Sequence, residues 1–320
     1  MGRYVIRRVL WVMLVLLLIT FFAYLIFFKL APDPVAQFAG RQPTKELKAE
    51  IRQQLGLDKG LFAQYGLFLK RLVLGDEYGW PGLGFSYDTR SAVKPELMER
   101  AWITGQLALG GAVIWLLLGL SVGIVSALKR RTLVDRAAMT FALFGVSAPV
   151  FFLGLIMLWV FWETLDILPG TGYIPFTESP TQWFLHFIMP WTALALLYAA
   201  FYARMVRGNL IETMGEDYIR TARAKGLSER RVVAKHGLRA SLTPVVTMFG
   251  MDLGLVFGGA LITETVFNLP GLGIWMVQSV TDNDFPVVMA VTIIAAFAVT
   301  IMNLIVDIVY AYLDPRVRYS

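Results

Sequence analysis

Residues 102–128 read WITGQLALGGAVIWLLLGLSVGIVSAL, and the next three, 129–131, read KRR. No ionisable side chain occurs between Trp102 and Leu128. A helix needs roughly 20 apolar residues to cross the hydrocarbon of a bilayer, and this run is long enough. In hydrocarbon every backbone N–H and C=O must be paired within the chain, so the run is expected to be a helix. Gly119 and Gly123 stand four apart on it, a small-xxx-small pair that lets another helix come close.

Working outward, five further stretches have the same character: 9–30, 137–161, 183–205, 243–267 and 287–313. Period-2 alternation, the mark of a membrane barrel, is absent. The composition agrees: of 320 residues 57% are hydrophobic and only 16% charged, against about a quarter charged in soluble domains. Mean hydropathy is +0.62. The first stretch could be read as a signal peptide. Its apolar core is too long for one, and no convincing small-residue cleavage site follows, so a span is expected.

Positive charge sets the orientation. Arg3, Arg7 and Arg8 precede the first span. Lys129, Arg130, Arg131 and Arg136 follow the second, a dense basic set runs from Arg204 to Arg239 after the fourth, and Arg316 and Arg318 follow the sixth. Loops 162–182 and 268–286 have no Lys or Arg and carry Glu163, Asp166, Glu178, Asp282 and Asp284. Both termini are therefore expected in the cytoplasm. The net charge of +6 sits in short clusters between apolar runs, which argues for a membrane surface and against nucleic acid. Cysteine is absent and the two histidines, His186 and His236, lie far apart. Neither thiolate chemistry nor a His-based metal or catalytic cluster is expected.

Segment 31–101 is the sizeable outside piece. Thr44 is placed to cap a helix carrying Glu46, Leu47, Ile51 and Leu55, closed by Gly56. A second helix is expected over 61–74, then a glycine- and aromatic-rich loop over 75–87. The segment suits either an amphipathic cap on the bilayer surface or a platform for an outside partner. The fifth span carries Gly250, Gly254 and Gly258, which fit packing within the chain first, with packing against a second permease subunit as the alternative.

The loop 209–241, between the fourth and fifth spans, carries the most information. Ile211, Met214, Tyr218 and Ala222 recur at helical spacing. Lys225 suits the last turn of that helix. Gly226 suits a left-handed C-cap. Ser228 is placed to cap the next helix, with Leu227 and Val232 as a hydrophobic staple around it. Glu229 falls in its first turn, and Pro244 comes early in the following span. A rigid helix–turn–helix on the cytoplasmic face can transmit a push from a soluble partner into two membrane helices. A basic loop held to anionic headgroups is the alternative that spacing leaves open.

That loop, 217–233, resembles the EAA loop of ABC importer permeases, in the form typical of the dipeptide/oligopeptide family. Arg220, Thr221 and Ala222 take the place of Glu-Ala-Ala, with Gly226 at the right distance, and His236-Gly237-Leu238-Arg239 stands for the later Ile-x-Leu-Pro. The resemblance covers nearly the whole chain: Pro32-Asp33-Pro34-Val35, Leu55-Gly56-Leu57-Asp58, Gly75-Asp76, the stretch 147–154, Glu264 to Gly273, and Asp307 to Arg316. Residues 78–85 are a short insertion against the family pattern.

The resemblance implies an all-α membrane protein of the type I ABC importer permease fold with six transmembrane helices. Residues 1–30 would be a cytoplasmic stub and first span, 31–101 the extracytoplasmic segment, and 102–320 a five-helix core carrying the coupling loop 209–241. It implies a second homologous permease, two cytoplasmic ABC ATPases that bind the ATP and Mg, and an extracytoplasmic substrate-binding protein, in a bacterial or archaeal plasma membrane. This chain itself would hold no cofactor and have no catalytic residue. Cargo would be di- or oligopeptides, or another small solute such as glutathione, haem or a nickel chelate. The ATPase-docking residues would be Asp217, Tyr218, Arg220, Thr221, Ala222, Arg223, Ala224, Lys225, Gly226, Leu227, Ser228 and Glu229.

Other classes fit less well. No Gly-x-x-x-x-Gly-Lys-Ser/Thr loop is present, nor His-Glu-x-x-His nor Gly-x-Gly-Asp. A secondary transporter would use intramembrane ionisable relays. The candidates are Asp252 and Asp307, and no repeated half is visible. Asp252 and Glu264, carboxylates on the fifth span, are expected along the translocation path and at its outer mouth.

Overall fold

A computed structural model describes residues 2–27 and 59–313. Four long apolar helices appear: α1 (Gly2–Leu25), α3 (Val93–Leu128), α6 (Pro180–Thr213) and α12 (Phe285–Leu313). The helix α2 (Leu61–Leu74) lies between the first two. Two bent pairs complete the membrane set. They are α4 (Leu133–Ser147) with α5 (Val150–Thr164), bent by 102°, and α8 (Glu229–Ser241) with α9 (Thr243–Phe257), bent by 48°. Counting each bent pair as one crossing gives six spans. The short helices α7 (Asp217–Ala224), α10 (Leu261–Phe267) and α11 (Leu272–Thr281) connect them.

The breaks have local causes. Pro149 forces Ala148 out of the helical region, to φ −84° and ψ 124°, because its ring clashes with a helical residue before it. The third span, expected as one helix over 137–161, is therefore two helices that meet at a corner. The fifth, expected as one helix over 243–267, stops at Phe257. Gly259 follows at φ +126°, and a Cβ there would meet Gly273 Cα at 2.9 Å. The chain folds back at this point because only glycine allows both that dihedral and that approach.

The core lies where α3, α6 and α9 meet, around Trp115, Leu107, Phe187, Tyr202 and Leu253. Small residues bring the backbones together. A Cβ on Gly119 would sit 2.7 Å from Tyr202 Cβ, and one on Gly123 2.7 Å from the Ala203 carbonyl oxygen. The Gly250, Gly254 and Gly258 stripe faces Val306, Val299 and Ala295 of α12. Packing within the chain thus accounts for both glycine patterns.

The helix α2 has the expected bounds. Tyr65 packs with Ala23, Tyr24 and Met289, so α2 rests on α1 and α12. The loop after it is held by two carboxylates. Asp76 accepts the N–H groups of Tyr78 at 2.9 Å and Gly84 at 2.8 Å. Asp284 accepts Tyr87 N–H at 2.9 Å and bonds the Ser86 hydroxyl. The α3 helix begins at Val93, earlier than hydropathy suggested. Its polar first turns are supported by the Glu96–Arg100 pair at 2.7 Å and by Arg100 lying 5.1 Å over the Trp275 ring. The expectations at Thr44 to Gly56, Pro32 to Val35, Leu55 to Asp58, Arg316 and Arg318 fall outside the described residues.

Candidate functional site

The end of α6 gives way to a helix–turn–helix. Met214, Gly215 and Glu216 turn the chain, with Gly215 N–H bonded to the Glu212 carbonyl at 2.9 Å. Helix α7 then starts afresh. Its buried face is Ile219 and Ala222, which pack on Val232 of α8 with Met214 and Leu227 around them. This corrects the expected stripe. Tyr218 is exposed, because the break at Gly215 resets the helical phase that a continuous count from Ile211 assumed.

The turn is a Schellman C-cap. Gly226 has φ +75°. Its N–H reaches the Arg223 carbonyl at 2.9 Å, and Leu227 N–H reaches Ala222 O at 3.4 Å. Leu227 also packs on Ala222, the contact usual in this motif. Among the described residues, nothing beyond its two chain neighbours lies within 4 Å of where a Gly226 Cβ would stand. Ser228 has the extended backbone of an N-cap, but its side chain makes no capping bond. The expected hydroxyl cap is replaced by the Ser228 carbonyl, which accepts from Arg231 N at 2.9 Å and Val232 N at 3.0 Å.

Arg223 bridges the turn to Glu229 with two bonds, Nη2–Oε1 2.7 Å and Nε–Oε2 3.0 Å. The guanidinium holds the Glu229 carboxyl below its usual range, and the carboxylate raises the guanidinium in turn. Both ends are exposed, so the bridge sets geometry more than it adds stability. Of the docking residues expected from sequence, Asp217, Tyr218, Arg220, Thr221, Arg223, Ala224, Lys225, Gly226, Ser228 and Glu229 are exposed. Ala222 is buried and Leu227 half-buried. The arrangement is a firm hydrophobic hinge with a polar, exposed outer surface. At its root, Asn209 Nδ2 bonds the Ser241 carbonyl at 3.4 Å, which ties the end of α6 to the end of α8.

The two intramembrane carboxylates lie elsewhere and apart in role. Asp252 of α9 accepts the Tyr202 hydroxyl on Oδ2 at 2.7 Å and is half-buried. Tyr202 belongs to an aromatic group with Trp115, which lies 4.6 Å from Tyr198 and 6.0 Å from Phe249 between ring centres. Glu264 of α10 is fully buried. Its Oε1 accepts from Thr104 at 2.7 Å, and its Oε2 from Gly273 N at 2.8 Å and Ile274 N at 3.1 Å. Thr104 Oγ1 accepts Leu272 N–H in turn at 2.9 Å. One carboxylate thus caps the start of α11 and pins it to α3. Among the described residues no group of three His, Cys, Asp or Glu side chains could hold a metal ion.

Sequence reasoning missed Ile219, Thr104 and the contact between Asp135 and Arg207. Ile219 was visible as the apolar residue two ahead of Thr221. The others meet across more than 70 positions (|i−j| = 160 for Thr104 and Glu264, 72 for the pair), where spacing carries no signal.

Comparison with known proteins agrees with this geometry. Residues 119–319 match the family described as binding-protein-dependent transport system inner membrane component. Residues 1–108 match the N-terminal domain of such membrane components. The glutathione transport system permease protein GsiC of Escherichia coli (strain K12) is 37% identical over 320 residues, covering 100% of both chains. The probable peptide ABC transporter permease protein y4tP of Sinorhizobium fredii (strain NBRC 101917 / NGR234) is 35% identical, again over 100% of both. The fold is similar to that of the MetNI methionine ABC transporter in an inward-facing conformation, with TM-score 0.54 and 19% identity, covering 69% of this chain and 97% of that one. The chain therefore belongs to the binding-protein-dependent transport system inner membrane components: it is a multi-pass permease subunit of an ABC importer, in which separate ATPase subunits hydrolyse the ATP.

Proposed function

We propose that this chain forms half of a peptide passage, lined jointly with a second homologous permease and fed by an extracytoplasmic binding protein. The observation that carries the coupling part is the helix–turn–helix 217–241, whose inner face is packed and whose outer face is charged and open. Two cytoplasmic ATPases holding ATP and Mg would each grip such a loop, one per permease. The residues 217–229 then enter a groove of the ATPase, and closure of the ATPase pair moves α6 and α9 through the Asn209–Ser241 tie. The basic loop after α3 and the root of the coupling loop lie at one end of the bundle, since Asp135 and Arg207 touch. That agrees with both termini facing the cytoplasm.

Cargo is a small peptide on this reading. One relative is named for glutathione and another for peptides, and glutathione is itself a tripeptide. Half-buried Asp252 is placed to face the passage with its second oxygen, and Glu264 to shape the outer mouth by holding α10 on α11. Vesicles carrying both permeases, the ATPases and the binding protein should take up labelled di- and tripeptides only with ATP. Uptake down a gradient without the ATPases would overturn the reading. Competition by haem or a nickel chelate, and none by di- or tripeptides, would reassign the cargo while leaving the machinery intact.

A further inference from the structure

A second polar centre lies at the cytoplasmic end of the bundle, where none of the above roles uses it. Asp135, in the first turn of α4, is only 4% exposed. Its Oδ1 accepts from Ser126 Oγ at 2.5 Å and Arg207 Nε at 2.7 Å. Its Oδ2 accepts from Arg131 N at 2.9 Å and Arg207 Nη2 at 2.9 Å. One carboxylate therefore joins the last turn of α3, the turn after it, α4 itself and the lower part of α6. Arg207 approaches side-on with both nitrogens, a fork geometry that fixes direction as well as distance.

The location is what gives the pair a task. Arg207 is six residues before Thr213, the end of α6, or about 9 Å along the helix axis. Just above it α6 is locked to its neighbours at backbone distance. A Cβ on Gly123 would meet Val206 Cβ at 2.8 Å, and one on Gly145 of α4 would meet Ala200 Cβ at 3.0 Å. Just below it the chain leaves the packed body and becomes the helix–turn–helix. Burying an ion pair is a poor way to gain stability, since apolar residues of similar size do as well or better. What the pair supplies is a fixed angle between α6 and the ends of α3 and α4.

We infer that Asp135 and Arg207 are positioning residues for transport: they make α3, α4 and α6 move as one body when the coupling loop is pushed. The inference rests on the proposal that residues 217–229 dock on an ATPase. Without the pair, the lower end of α6 would swing on its own, and ATPase closure would be spent in that bend.

The test uses the full transporter in vesicles and reads substrate taken up per ATP hydrolysed, normalised to assembled complex. Asp135→Asn with Arg207→Gln together removes both charges and leaves no buried ion alone, so assembly should be near normal. Uptake per ATP should fall at least tenfold. A ratio within twofold of the parent chain would overturn the inference and leave the pair a fold element only. If the double variant fails to assemble, Arg207→Lys serves. It keeps the charge and loses the two-pronged bond, and a ratio within twofold of the parent again overturns the inference. A cysteine introduced by Lys225→Cys separates the two ideas. It should cross-link to the ATPase in the parent and in both variants. Absence of the cross-link in the parent would count against loop docking itself.

Discussion

Glu264 Oε2 accepts the backbone N–H of Gly273 at 2.8 Å, and no side chain fits between them. A Cβ on Gly273 would stand 2.9 Å from that same oxygen, and one on Gly271 2.3 Å from the carboxyl carbon. The contact holds the fold-back after Gly259 against α3 and α11. Replacing Glu264 with Ala strands the N–H groups of Gly273 and Ile274 and the Thr104 hydroxyl. A buried unpaired donor costs about 1–3 kcal/mol, so the loss should be several kcal/mol. The purified complex should melt several degrees lower, by fluorescence or light scattering. Melting unchanged by Glu264→Ala would show these carboxylate contacts to be dispensable. Glu264→Gln, which retains an acceptor, should fall between the two.

Gly226→Val should separate folding from coupling. The left-handed conformation costs a residue with a Cβ roughly 1–2 kcal/mol, but among the described residues nothing beyond the two chain neighbours lies within 4 Å of the new Cβ. Inserted protein should be near normal in amount. Stimulation of ATP hydrolysis by loaded binding protein should be lost, because the side chain stands on the surface proposed to meet the ATPase. Normal stimulation would return the loop to a lipid-headgroup role. Asn at the same position, which tolerates a positive φ, should keep part of the activity. Ala at Arg223 or Glu229 should give a milder loss, since the bridge is solvent-exposed.

Asp252→Asn keeps an acceptor for Tyr202 and removes only the charge. An aspartate in a span costs about 2.5–3.5 kcal/mol on insertion scales, so the variant should insert at least as well as the parent. If the charge meets the free amino group of a passing peptide, uptake should fall about tenfold, close to 1.4 kcal/mol, and N-acetylated peptides should lose their disadvantage. Equal uptake of free and acetylated peptides by parent and variant alike would mean that the charge plays no part in passage.

The absence of native cysteine allows a clean test of topology. Cysteines from Glu178→Cys and Asp282→Cys, both at exposed positions, should react with an impermeant maleimide on intact cells. Ser228→Cys should react only after permeabilisation. Labelling of Ser228→Cys from outside would invert the assignment.

Much of this was legible in the sequence, and the rest was hidden for definite reasons. Hydropathy located the spans because insertion depends on apolar length, and residue types located the turn at Gly226 because only glycine takes that dihedral cheaply. Hydropathy says nothing about chain direction, so the corner at Pro149 and the fold-back at Gly259 passed as continuous helix although both residues were in view. Helical spacing placed Tyr218 on the packed face because the phase was counted through Gly215. The hydroxyl of Ser228 had the right position for a cap, yet the backbone carbonyl took its place. Arg207 for Asp135, Tyr202 for Asp252 and Thr104 for Glu264 come from helices distant in sequence, and no local pattern announces them.

The stop at Phe257 also bears on the thickness of the barrier. Helix α9 has 15 residues, about 22 Å at 1.5 Å per residue, against roughly 30 Å of hydrocarbon. By its own length α9 does not span an unperturbed bilayer. Beyond Phe257 the remaining depth is filled by the glycine break and the α10–α11 hairpin, whose non-helical backbone must be screened by protein or wetted. Closing Glu264 onto Thr104 and Gly273 supplies that screen on the protein side. Beside α9 the crossing is thus completed by folded-back chain instead of continuous helix, and about a quarter of its depth depends on hydrogen bonds made between elements.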